Sequence, residues 1–140
     1  MFREMRRFRQ VLPESDIFSI LQNGRTGVLA VHGDDGYPYT VPLNYVFRDG
    51  CIFFHGAEVG HKIDGVRNNE KVSFCVVDRD RIIPEKLAAD YRSVIVFGKA
   101  KVLTDPVRKK LALQWMSEKY AADYPEESRK EIEKYGDRVG

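Results

Sequence analysis

The stretch from Ile52 to Asp64 reads Ile-Phe-Phe-His-Gly-Ala-Glu-Val-Gly-His-Lys-Ile-Asp. An apolar strand runs into His55 and Gly56, a short loop follows, and Gly60-His61-Lys62 opens a helix. A helix start presents unpaired N–H groups and a partial positive charge. Gly60 lets the backbone come close to a ligand, and Lys62 adds a mobile cation. These are the parts that hold an anionic group. The same spacing also fits a surface helix start with a solvated lysine.

The segments upstream set the fold. Thr26 to Val31 reads as a buried strand, and Gly33-Asp34-Asp35-Gly36 as a turn. Tyr37 to Phe47 reads as the returning strand. Pro38 and Pro42 inside it place part of that strand at an edge, a bulge or a ligand-facing segment, because proline donates nothing to a sheet ladder. Arg48-Asp49-Gly50 is a tight turn into a third strand, Cys51 to His55. Three successive strands joined by short turns predict an antiparallel meander.

A helix is predicted before the first strand. Leu12-Pro13-Glu14-Ser15-Asp16 starts it, Ile17, Ile20 and Leu21 share its apolar face, and Asn23-Gly24 stops it. After the opening stretch, His61 to Asn68 has helical spacing with Ile63 and Val66 inward. Lys71 to Val77 and Ser93 to Leu103 read as the fourth and fifth strands, with a polar connection and a helical turn near Glu85 to Ala89 between them. Thr104-Asp105-Pro106 starts a last helix whose apolar face is read as Val107, Leu111 and Trp115. The charged tail from Glu126 is helix-prone. The sum is a mainly β domain with peripheral helices, an antiparallel barrel. No GxGxxG is present and no parallel strand-helix-strand pattern is sustained, which argues against a Rossmann fold.

The 140 residues are most simply one domain, and the net charge of +2 does not point to a nucleic-acid partner. Arg3, Arg6, Arg7 and Arg9 form a local basic arm, read as a solvated terminus. No apolar run is long enough for a transmembrane helix, and neither a leader nor a disulfide framework is recognisable, so the cytoplasm follows by default. Cys51 and Cys75 sit in apolar runs and read as buried free thiols. His32, His55 and His61 match no tight metal-ligand spacing, and no serine has a GxSxG context. His55, at a strand end, reads either as a hydrogen-bonding structural residue or as a group facing a substrate. Pro42-Leu43-Asn44-Tyr45 reads as an irregular edge strand or as main chain beside a planar ring, with Asn44 as a polar contact. Ser93 reads as a plain strand start or as a donor to a ligand carbonyl.

As a set, Pro-Tyr-Thr-Val-Pro-Leu-Asn-Tyr (38 to 45), Phe-His-Gly-Ala-Glu-Val-Gly-His-Lys (54 to 62) and Tyr-Arg-Ser-Val-Ile-Val-Phe-Gly (91 to 98) resemble the FMN-binding split-barrel superfamily. That superfamily includes pyridoxamine 5'-phosphate oxidase, and the resemblance is nearest to its nitroimidazole-resistance branch. It implies an antiparallel split β-barrel and a homodimer with two FMN sites at the interface, each built from both chains. It also implies a small-molecule substrate; from charge and hydropathy, no nucleic-acid or membrane partner is expected. Val41, Pro42, Leu43 and Asn44 would run beside the flavin ring, with His55 and Gly56 also contacting the cofactor. His61 and Lys62 would take the phosphate, and Ser93 would touch the ring's polar edge. His55 is then the first catalytic candidate. The implied activity is electron transfer from reduced flavin to a small organic acceptor such as a nitroaromatic. A non-catalytic flavin- or haem-binding module, or a deazaflavin in place of FMN, is the alternative. The chain lacks the Arg-x-His of the oxidase proper, so pyridoxamine phosphate oxidation is not expected. Relatives usually continue into a final strand, whereas this chain stops at Gly140, which leaves one barrel edge open in the expectation.

Overall fold

The fold turns on Tyr45, where the chain leaves one sheet and enters another. A computed structural model describes residues 12–55, 60–83 and 88–120, with backbone alone at 79–83 and 88–91. Its elements are α1 (Glu14–Asn23), β1 (Thr26–His32), β2 (Pro38–Asn44), β3 (Val46–Arg48), β4 (Cys51–Phe53), α2 (His61–Asn68), β5 (Lys71–Ile83), β6 (Ala88–Lys99) and α3 (Pro106–Tyr120). A four-stranded sheet has the order β2-β1-β5-β6, and β3 and β4 form a separate two-stranded sheet. All pairings are antiparallel. The expected split barrel with peripheral helices is the architecture found.

Residues 37–47 therefore do not form one strand, and the expected three-strand meander is interrupted. Tyr45 is fully buried, and its hydroxyl donates to the Leu21 carbonyl at 2.7 Å. A side chain held inward at that point turns the backbone out of the first sheet. β2 is an edge strand, which explains how it accommodates Pro38 and Pro42. The hairpin from β3 to β4 turns through Asp49 and Gly50, both at positive φ (53° and 74°), the conformation that suits a two-residue hairpin loop.

The core lies on the inner face of the larger sheet. Leu29 and Val31 of β1, Phe74 and Val76 of β5, and Val94 of β6 meet Ile20 and Leu21 of α1, Val66 of α2 and Tyr45. Phe74 lies at the centre: its ring meets Tyr45 edge-on at 5.0 Å and Phe54 in parallel at 6.5 Å. Gly27 makes room for it, since a Cβ there would fall 2.2 Å from the ring Cζ.

Four further expectations are corrected. β5 extends to Ile83 and β6 begins at Ala88, so Ala88 and Ala89 open a strand rather than close a helical turn; residues 84–87 lie outside the described residues. β6 likewise starts earlier than Ser93 and ends at Lys99. On α3 the buried residues are Ala112 and Met116, while Val107 and Leu111 are exposed. Apolar residues occupy more than one side of that helix, so periodicity selects no unique stripe. Trp115 is half-buried and reaches Phe53 at 5.3 Å, with Arg48 stacked 5.0 Å from its ring. Cys51 is exposed, and Cys75 is only half-buried because its neighbours Phe74 and Val76 take the core face of β5; both are free thiols. The charged tail from Glu126 lies outside the described residues.

Candidate functional site

The opening stretch folds much as its spacing predicts. β4 ends at Phe53, and His55 follows two residues later, partly open to solvent and partly on a cavity wall. Gly56 and residues 57–59 lie outside the described residues. Gly60 then enters α2 at φ 145°, a value that glycine adopts freely. No side chain caps this helix; Asp64 N–H is the first to bond back, to the Gly60 carbonyl at 3.0 Å. The N–H groups of His61, Lys62 and Ile63 therefore have no partner within the helix. Among the described residues Lys62 forms no ion pair.

His55 and Lys62 line the same cavity. Desolvation holds the His55 pKa below the usual 6.5, and the Lys62 charge pushes it the same way. His55 is therefore a neutral imidazole near pH 7, able to accept or donate one hydrogen bond at each nitrogen. A base with a depressed folded pKa binds fewer protons folded than unfolded in the window below 6.5. Stability therefore rises with pH across that window and is lost as pH falls through it. His55→Asn should flatten this slope, read from urea midpoints across that window. Lys62→Ala should raise the His55 midpoint in an NMR titration; an unmoved midpoint would remove Lys62 as a cause.

His61 takes a different position. Its ring stacks on Tyr39 at 3.9 Å and 21°, and its Nε2 lies 3.9 Å from Asp34 Oδ2. That separation is too long for a hydrogen bond. His61 thus pins the start of α2 to the turn between β1 and β2.

The remaining candidates are divided between the faces of the large sheet. Val41 and Leu43 pack on the core, while Pro42 and Asn44 face outward. Asn44 donates through Nδ2 to the Arg25 carbonyl at 2.8 Å. Ser93, paired with Val77 on β6, occupies the opposite edge of the sheet from β2. Three strand spacings, roughly 14 Å, separate the two edges. One copy of the chain thus brings His55 and Lys62 together and leaves Asn44 and Ser93 apart.

Two features escaped the sequence reading. The first is a knot at the break between the sheets. Tyr120 Oη lies 2.6 Å from both the Tyr45 and Arg25 carbonyls and accepts from Tyr45 N–H at 3.1 Å. Lys119 donates to the Tyr45 carbonyl at 3.1 Å and sits 4.1 Å over the Tyr45 ring. Burial, and secondarily Tyr120, pushes the Tyr45 hydroxyl up to about 12, so it remains a donor at neutral pH. No local pattern connects residues 75 positions apart. The second is the outer face of the large sheet. Val28, Val77, Ile95 and Phe97 are 38%, 54%, 61% and 54% exposed on it. Register makes it continuous, since Val28 pairs with Cys75 and Cys75 with Ile95. Its signal in the sequence is the unbroken apolar run Val94 to Phe97, which is apolar on both faces of the strand.

This fold and these segments define a family. The profile of the pyridoxamine 5'-phosphate oxidase family matches residues 13–137, and the chain belongs to that family. Among solved structures, a conserved protein of Mycobacterium tuberculosis is 25% identical with a TM-score of 0.79, covering 92% of this chain and 77% of the other. An FAD-binding protein from Mesorhizobium loti is 29% identical with a TM-score of 0.61, covering 82% and 79%. A proposed 5-nitroimidazole antibiotic resistance protein from Bacteroides thetaiotaomicron shares the fold at 20% identity and a TM-score of 0.72, covering 92% and 76%. No curated protein sequence matches significantly. Among the described residues no helix is long and apolar enough to cross a membrane.

Proposed function

We propose that the protein is an FMN-dependent oxidoreductase that works as a homodimer and passes electrons to a small organic acceptor such as a nitroaromatic. The observation that carries the reading is that His55 and Lys62 line one cavity at the start of α2, with Lys62 in no ion pair among the described residues, in a chain of this family. The residues present fit a flavin phosphate: three N–H groups without a partner inside the helix, a glycine at positive φ and a cation that meets no carboxylate among the described residues. A bound flavin would supply the redox chemistry. Lys62 and the first turn of α2 would hold its phosphate. His55, neutral at pH 7, would orient the substrate or hand it a proton. The outward main chain around Pro42 and Asn44 would meet the ring, and Ser93 would come from the second copy. That division is supported by the wide separation of β2 and β6 within one chain.

The first test is the visible spectrum of the purified protein and its titration with FMN. A colourless protein that takes up no added FMN would sink the reading. Lys62→Ala should weaken FMN binding by about tenfold to a hundredfold, the range for a charge-assisted contact to phosphate. Unchanged affinity would take Lys62 out of the phosphate role. Steady-state oxidation of NADH or NADPH with a panel of acceptors then separates an enzyme from a flavin store.

A further inference from the structure

Between the two sheets and α3 lies a cavity of about 550 Å³. That volume is typical of a site for a small organic ligand. Its walls are apolar, with Leu29, Ile52, Phe54, Val72, Val96 and Met116 contributed by both sheets and α3. An apolar space of that size leaves its lining short of dispersion contacts, and an apolar occupant would restore them.

The charged residues along it are all of one sign. Lys99, Lys101, Arg108 and Lys109 line the part formed by the end of β6 and the first turns of α3. Among the described residues no carboxylate lines the cavity. Lys99 is held by Glu70 at 3.6 Å. Lys101, Arg108 and Lys109 form no ion pair among the described residues. Three uncompensated cations beside an apolar chamber create a field that favours an anion there. At the start of α3 the Asp105 carboxylate accepts from Val107 N–H at 3.0 Å and does not line the cavity, and the first turn itself carries no acidic residue.

We propose that this cavity binds an amphipathic organic acid, with its apolar chain or ring inside and its anionic headgroup on Lys101, Arg108 and Lys109. His55 and Lys62 line the same cavity, but the headgroup cations are those of the β6–α3 connection, distinct from the Lys62 assigned to the flavin phosphate.

Calorimetric titration with dodecanoate, below its micelle concentration, tests it. The expected result is one dodecanoate per chain, with affinity falling on addition of about 0.5 M salt as the headgroup contacts are screened. Dodecyltrimethylammonium, with the same tail and opposite charge, should bind at least about tenfold more weakly. Lys101→Glu/Arg108→Glu changes two exposed side chains and should lower dodecanoate affinity by about tenfold. Ala112→Phe should block the apolar part and abolish binding. If that variant does not fold by circular dichroism, the surface pair alone decides. Equal binding of the two detergents, unaltered affinity in the charge-reversed variant, or several equivalent sites per chain would overturn the proposal. So would full displacement of dodecanoate by FMN, which would mean that the acid had merely entered a flavin site.

Discussion

Ile95→Glu is expected to convert the proposed dimer into a monomer, raising its dissociation constant at least a hundredfold, about 3 kcal/mol. Ile95 is 61% exposed at the middle of an apolar sheet face that includes Val28, Val77 and Phe97. Continuous apolar surface on a sheet marks a place where another surface packs. A carboxylate there would have to leave water when that face is covered. Sedimentation velocity over a range of concentrations reads the change. Val107→Glu, on the exposed side of α3 at 74% exposure, serves as the control and should leave the mass unaltered. FMN affinity should fall together with the dimer if each site draws on both copies. A monomeric Ile95→Glu protein that retains full FMN affinity would place the whole flavin site in one chain. A variant that remains dimeric would move the interface elsewhere.

Phe74→Ala is expected to cost about 3–5 kcal/mol of stability, the usual range for emptying a buried aromatic position. Phe74 is 4% exposed, and its ring bridges Tyr45, Phe54 and the surface of Gly27. Gly27→Ala should cost about 1–3 kcal/mol by overpacking against the same ring. The two effects should not add. With Phe74 already reduced to alanine, the new Cβ at Gly27 has nothing to meet, and Gly27→Ala should become nearly neutral. Urea unfolding of the two single variants and the double variant measures this. Simple additivity would mean that the ring does not rest on Gly27.

The pH behaviour of His55 belongs to the same picture. Its low pKa arises from desolvation and from Lys62, two residues whose proximity depends on how β4 and α2 meet. A chain whose His55 titrated at the ordinary value would hold a charged imidazole beside Lys62 through the mildly acidic range.

Much of the fold was legible because short-range rules decided it. The helix from His61 to Asn68 follows from Gly60 before it and Asn69 after it, with Ile63 and Val66 one turn apart and both buried. The turn at Asp49-Gly50 follows from residues that tolerate positive φ. The prolines of β2 indicated an edge, a bulge or a ligand-facing segment, and β2 is an edge strand. The grouping of His55 and Lys62 came from seven residues of chain, a distance over which a strand end and a helix start leave few arrangements.

Other features depended on partners far away in sequence. Tyr45 splits a predicted strand because Leu21 accepts its hydroxyl and Tyr120 reaches its backbone from the end of α3. Which side of α3 faces inward was decided by the hairpin it packs against, not by its own apolar pattern. The extension of β5 and β6 across residues read as a polar connection came from their mutual pairing, which overrides local composition.

The amino-acid sequence alone thus determined the order of elements outside residues 37–47 and the β5–β6 connection, the irregular character of β2 and the glycine-led start of α2, because each rests on backbone chemistry within a few residues. Tertiary structure alone decided where the sheet splits, that Asn44 and Ser93 stand on opposite edges, and that Ile95 and Phe97 face outward while Val94 faces the core. The reason is physical. A strand's two faces differ only in what packs against them, and those partners are brought together by the fold.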